Sequence, residues 1–287
     1  MHPTRRERLT DLIALDPATE FEEIYRRSVL WEFPTEARLG FQLAFYRPMA
    51  SPRIARILVQ TGHFLRDTTK RAYDSGIVIH ELIASGIDSD RGRRMIALMN
   101  KLHDRPGIEQ EDLTYVLLAL LLEPVNLISR YSFRPLHPHE IQAAHAFYTT
   151  VGQRMGIHDL PASYDSARAW FAAYEKQHTA HSPEADQLTT ALVGALADRM
   201  PTPVRGRAGQ IMATLLDDPA AAAALGLPRP DPLTRTLTRA AMTARRLRQR
   251  RSPAPAEPSF TPGQAVRHAY PDGYRLSQIG PSSNSDQ

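Results

Sequence analysis

The chain has 287 residues, 42% of them hydrophobic and none of them cysteine, so it can bury a sizeable core without staples, while disulfides, cysteine metal sites and thiolate nucleophiles are excluded. Metal or covalent chemistry falls instead to its 11 histidines, its carboxylates and its hydroxyls. The 35 Lys+Arg exceed the 31 Asp+Glu, a formal charge of +4, which raises nucleic acid or a membrane surface as partners.

Apolar residues recur at three and four along most of the chain, and strand-length alternation is hard to find, so the pattern predicts an all-α bundle of about ten helices. The opening residues, Met1 to Arg8, are charged and predict no secretory leader. Asp16-Pro17 reads as an N-cap with proline at the first helical position, opening a helix through Phe21, Ile24, Val29 and Trp31. Ser51-Pro52 repeats the device for a short helix that stops at Gly62. Thr68–Ser85, ended by Gly86, and Ser89–His103 follow. Glu109–Tyr131 is acidic at its start, apolar almost all round in its middle and basic at its end, which predicts the buried central helix, kinked or divided at Pro124. Its unbroken apolar run, Val116 to Leu122, is far shorter than the roughly 20 residues that cross a bilayer. Further helices are expected near His137–Met155, Tyr164–Gln177, Ser182–Met200, Val204–Leu216 and Pro219–Leu225.

Residues 1–230 thus form the expected globular domain. Residues 231–251 form an arginine-rich amphipathic helix, with Leu233, Leu237, Ala240, Ala241, Ala244 and Leu247 as a weak stripe. Residues 252–287 are rich in Pro and Ser and poor in apolar residues, which predicts a disordered tail. Arg235 to Arg251 carries seven arginines and no acid, leaving 28 basic against 31 acidic residues elsewhere. The positive balance belongs to this helix, so nucleic-acid binding by the body loses its support. A cytoplasmic protein, with peripheral membrane contact through Arg235–Arg251, is expected.

The sequence has no phosphate-binding G-x-x-x-x-G-K-[ST] loop, no G-x-G-x-x-G and no G-x-S-x-G. Glu175 and His178 have the Glu-x-x-His spacing of di-iron bundles, but no second copy accompanies them. His80 and His103 lie on apolar helical faces, where a lone histidine is more often a satisfied core residue than a ligand. Arg71 with Asp74, and Arg130 with Arg134, read either as surface ion pairs and helix-end charges or as guanidinium clamps for an anion.

The ordered set Lys70-Arg71-Ala72-Tyr73-Asp74-Ser75-Gly76, Met99-Asn100-Lys101-Leu102-His103, Tyr115-Val116-Leu117 leading to Glu123-Pro124, Arg130-Tyr131-Ser132-Phe133-Arg134-Pro135-Leu136, and Gly152-Gln153-Arg154-Met155-Gly156-Ile157 with Leu160-Pro161 resembles the MpaB-type oxygenase family, which includes the rubber oxygenase (latex-clearing protein) catalytic domain. The resemblance implies an all-α domain holding haem b through a histidine. It also implies an oxygenase that uses dioxygen on an apolar, isoprenoid or polyketide-like substrate, by oxidative C=C cleavage. His103 is then the expected iron ligand, with His80 in reserve. Arg71 and Asp74 are expected as catalytic residues beside the cofactor, and Arg130 and Arg134 as haem propionate contacts. The alternative is a non-catalytic helical protein that holds a lipid-like ligand in an apolar pocket.

Overall fold

The computed structural model describes residues 4–266 and 269–280. Thr4 caps the highly charged α1 (Arg5–Ile13) by accepting from the Glu7 amide, and Glu7 returns a bond to the Thr4 amide. α2 (Phe21–Arg27) runs into one π turn, Ser28–Glu32, and α3 (Pro34–Tyr46) restarts at a proline whose fixed φ suits a first helical turn. α4 (Pro52–Thr61) ends at Gly62 in the left-handed region (φ 65°), and the single-turn α5 (His63–Arg66) follows. Asp67 and Ser89 cap α6 (Thr68–Ser85) and α7 (Asp90–His103) through their side chains. Beyond them lie α8 (Gln110–Tyr131), α9 (Pro138–Arg154), α10 (Tyr164–His178), α11 (Pro183–Ala197), α12 (Thr202–Arg205), α13 (Ala208–Leu216), α14 (Pro219–Ala224) and α15 (Pro232–Arg251).

The fold is all-α, with fifteen α-helices and no strand among the described residues, so the expected count of about ten is exceeded. Two of the additions, α1 and α3, escape a periodicity reading for opposite reasons. α1 is mostly charged, and α3 is buried over more than half its circumference, with Leu43 and Tyr46 extending the buried face of Ala37, Gly40, Phe41 and Ala44. Asp16 does not cap α2. Its carboxylate closes a turn on the Ala18 amide at 2.9 Å, and the helix begins later, at Phe21.

Pro124 does not divide α8, which runs unbroken for 22 residues. The helix is long and apolar enough to cross a membrane, yet 72% of its most apolar window is buried inside the fold. α3 crosses it so closely that a Cβ built on Gly40 would stand 2.4 Å from Pro124 Cα and 2.6 Å from Pro124 N. Past this crossing, the buried Arg47 joins Glu123 on α8 (2.8 Å), Glu175 on α10 (2.6 Å) and Asp218, the N-cap of α14 (2.5 Å). Burial works against its charge, and the carboxylates outweigh that and raise its pKa above the ordinary value.

Residues 252–266 and 269–280 are not the disordered tail that their composition predicts; they form a strap along the body. Arg5 and Arg8 of α1 donate to the carbonyls of Ser252, Pro253 and Pro255. The Leu30 carbonyl, which faces a proline without N–H at position 34, accepts from the Ser259 amide at 2.8 Å. Tyr270 donates to buried Asp74 at 2.6 Å, and Tyr274 donates to buried Glu81. Buried tyrosines and specific polar anchors supply what a count of aliphatic residues misses. Residues 267, 268 and 281–287 of the expected tail lie outside the described residues.

Gly40→Ala is expected to lower unfolding stability by about 3 kcal/mol in urea titration, since the obstacle is backbone. Gly194→Ala, exposed inside α11 with nothing near its added methyl, is expected to raise stability by about 0.5–1 kcal/mol. Arg47→Ala strands buried carboxylates and is expected to cost about 3–5 kcal/mol in the same assay.

Candidate functional site

α3, α4, α6, α7, α8 and the strap enclose a cavity of about 600 Å³, within the roughly 300–1,000 Å³ usual for small-molecule sites. Its walls are mainly apolar, with Phe41, Ile54, Ile77, Leu102, Val116 and Leu120 among them, and the strap adds Phe260 and Val266.

His103, the last residue of α7, lines this cavity. Its Nδ1 stands 2.7 Å from the Met99 carbonyl, one turn back. A carbonyl only accepts, so Nδ1 carries the proton and Nε2 keeps its lone pair. Burial pushes the pKa below the ordinary imidazole value, and Arg71 and Arg105 add to this against the opposing Met99 bond. His80 on α6 repeats the arrangement, with Nδ1 2.7 Å from the Gly76 carbonyl and a pKa lowered by burial. Its ring is edge-on to Phe41 and 5.1 Å from that of Phe260. Both imidazoles are neutral, held by a backbone carbonyl and free at Nε2 among the described residues, which is the donor set a metal ligand requires.

Arg71 lines the cavity and bonds Ser75 Oγ at 2.7 Å; burial lowers its pKa. Arg38 and Arg199 line it as well, and the Arg199 guanidinium lies 4.7 Å from the Tyr73 ring centre. None of the three has a carboxylate within ion-pair distance among the described residues. Arg38 is exposed and Asp74 supports the charge of Arg71 without an ion pair, so the three guanidinium groups keep donors available on the cavity wall, which suits carboxylates on a bound molecule. A tetrapyrrole with an apolar face, an imidazole-seeking metal and carboxylate side arms fits this combination.

The structure moves three of the expected site residues elsewhere. Asp74 does not line the cavity or pair with Arg71; its carboxylate takes Lys70 Nζ at 2.6 Å, Tyr270 Oη at 2.6 Å and the Gly280 amide at 3.0 Å, which makes it an anchor of the strap. Arg130 faces Asp217 at 3.2 Å. Arg134 holds Glu140 at 2.6 Å and lies over the Phe33 ring, because the turn after α8 points it at the cap of α9. Neither arginine is a cavity residue, so neither is placed to meet haem propionates. Arg38 and Arg199, which are, carry no motif in the sequence; only the course of α3 and of the chain after α11 brings them in. The Glu175 carboxylate is taken by Arg47 and Tyr115, and no group of three or more metal-ligating side chains occurs among the described residues.

Residues 34–247 match the family model described as ER-bound oxygenase mpaB/B'/Rubber oxygenase, catalytic domain. The chain belongs to this family. Every helix that lines the cavity falls inside the match, and the strap follows it. An ER-bound oxygenase mpaB of Penicillium roqueforti (strain FM164) is 28% identical over 193 residues, 60% of this chain and 65% of the relative. The mpaB of Penicillium brevicompactum is 27% identical over 207 residues, 64% of this chain and 52% of the relative. The mpaB' of that species is 27% identical over 184 residues, 56% of this chain and 44% of the relative. The matches therefore span between 44% and 65% of these relatives' own length.

Tyr270→Phe and Tyr274→Phe each remove a hydrogen bond from a buried carboxylate. Each is expected to cost about 1–3 kcal/mol, and limited proteolysis is expected to cut the variants faster within residues 252–280.

Proposed function

We propose that the protein is a haem b-dependent oxygenase acting with dioxygen on an apolar, isoprenoid or polyketide-like small molecule, and that His103 is the iron ligand. The observation that supports this best is the pinned, neutral imidazole of His103 on an apolar cavity lined by arginines without acidic partners. Membership of a family whose matched relatives are named oxygenases agrees with it. When bound, the haem would supply the activation of dioxygen needed to oxidise an apolar molecule, cleavage of a C=C bond included.

The chain's own residues do the rest. The Met99 carbonyl fixes the tautomer and ring orientation of His103 and makes its Nε2 a better donor. Arg71, close enough to His103 to depress its pKa, holds a carboxylate of the cofactor or stabilises negative charge that develops during reaction. Arg38 and Arg199 are the further carboxylate partners, in the place first expected for Arg130 and Arg134. His80 presents a second nitrogen beside Phe41 and Phe260. The aliphatic walls bind substrate at about 25 cal/mol per Å² of apolar surface removed from water, and the strap adds Phe260 and Val266 to those walls.

Hemin titration followed by absorption tests the reading. The wild-type chain and His80→Ala are expected to give a Soret band, and His103→Ala to lose it. Arg71→Ala is expected to weaken hemin binding about tenfold or more, as for a lost charge-assisted bond. No band in the wild type, or loss only in His80→Ala, overturns the assignment, and a chain that takes up an apolar ligand without haem is a binding protein.

A further inference from the structure

A surface helix ordinarily turns its apolar stripe to the core; α15 does the reverse. Leu233, Leu237, Ala240, Ala244 and Leu247 share one face at three- and four-residue spacing, and all are exposed, the leucines at 56%, 56% and 47%. The face against the body is largely polar. Thr234 accepts from Arg207 at 2.9 Å, Arg245 reaches the fully buried Glu36 at 2.7 Å, and Met242 is the one buried aliphatic side chain of the helix. Leucines on the outside of a helix that the body holds by polar contacts are not accounted for by folding.

The arginines divide along the same line. Arg245 and Arg239 pair with Glu36 and Asp217. Arg235 and Arg250 give bonds to the carbonyls of Pro230 and of Phe133 on the body, whereas Arg248 and Arg251, which flank the leucine stripe, are exposed and have no acidic partner among the described residues. The chain apart from residues 235–251 carries 28 basic and 31 acidic residues, so the positive balance of the sequence lies in this helix.

The geometry points to an anionic membrane surface as the occupant of this face, with the leucine stripe sunk among the headgroups and Arg248 and Arg251 against lipid phosphates. A second copy of the chain would set those arginines against their equivalents. A nucleic acid would neutralise the arginines and leave the leucines in water. Only a lipid interface satisfies both, and the inference is independent of haem.

Flotation of the full chain on vesicles tests this. Binding is expected to vesicles of phosphatidylcholine with phosphatidylserine, weakly to phosphatidylcholine alone, and to fall with added salt. The L233S/L237S/L247S variant is expected to lose about tenfold for each leucine, and R248Q/R251Q about fivefold for each arginine. Both variants should keep the wild-type melting temperature and hemin titration, because the changed side chains are exposed and do not line the cavity. No flotation, or flotation that neither variant weakens, overturns the proposal. So does a leucine-dependent dimer without flotation, or DNA binding lost only in the arginine variant.

Discussion

The backbones of α3 and α8 meet at Gly40 and Pro124, with no room for a single methyl group between them. Two walls of the cavity are set by that contact. α3 carries Arg38, Phe41 and Gln42 to the wall, and α8 carries Leu113, Val116, Leu117 and Leu120. The crossing is locked beyond its end by Arg47, whose guanidinium ties α8, α10 and the cap of α14. Proline inside α8 and glycine inside α3 are poor helix residues taken alone. Opposed to each other, they allow an approach that larger residues forbid.

Against this frame the cavity joins two properties that normally conflict. Its walls are apolar enough to keep imidazoles neutral, and they also hold Arg38, Arg71 and Arg199 without internal carboxylates. The strap finishes the enclosure from outside the family match: Phe260 meets His80, and the anchors at Asp74 and Glu81 hold the segment from the far side of α6.

Much of this architecture was legible from punctuation and periodicity. The proline at the start of α4, the limits of α6 and α7 and the burial of α8 follow from caps and from apolar residues at three and four. His103 lies on an apolar face in the sequence pattern, and the structure sets it at the end of α7 on the cavity wall. What was not legible depends on where chains cross. Asp74 and Arg71 share a motif and a helix, yet a tyrosine nearly two hundred positions later claims Asp74. Arg134 reads from the sequence as a helix-end charge or an anion clamp, because Glu140, its partner, belongs to the next helix cap. The strap has the composition of a disordered tail, and only the buried carboxylates waiting on α6 give its tyrosines a place.

The central claim is that this cavity receives an iron porphyrin on His103. Anomalous diffraction at the iron edge, from crystals of the chain loaded with hemin, tests it most directly. The account predicts one iron site in the cavity at bonding distance from His103 Nε2, with the porphyrin carboxylates toward Arg71, Arg38 or Arg199. Iron outside the cavity, or bonded to His80 with His103 still bound only to Met99, would contradict it.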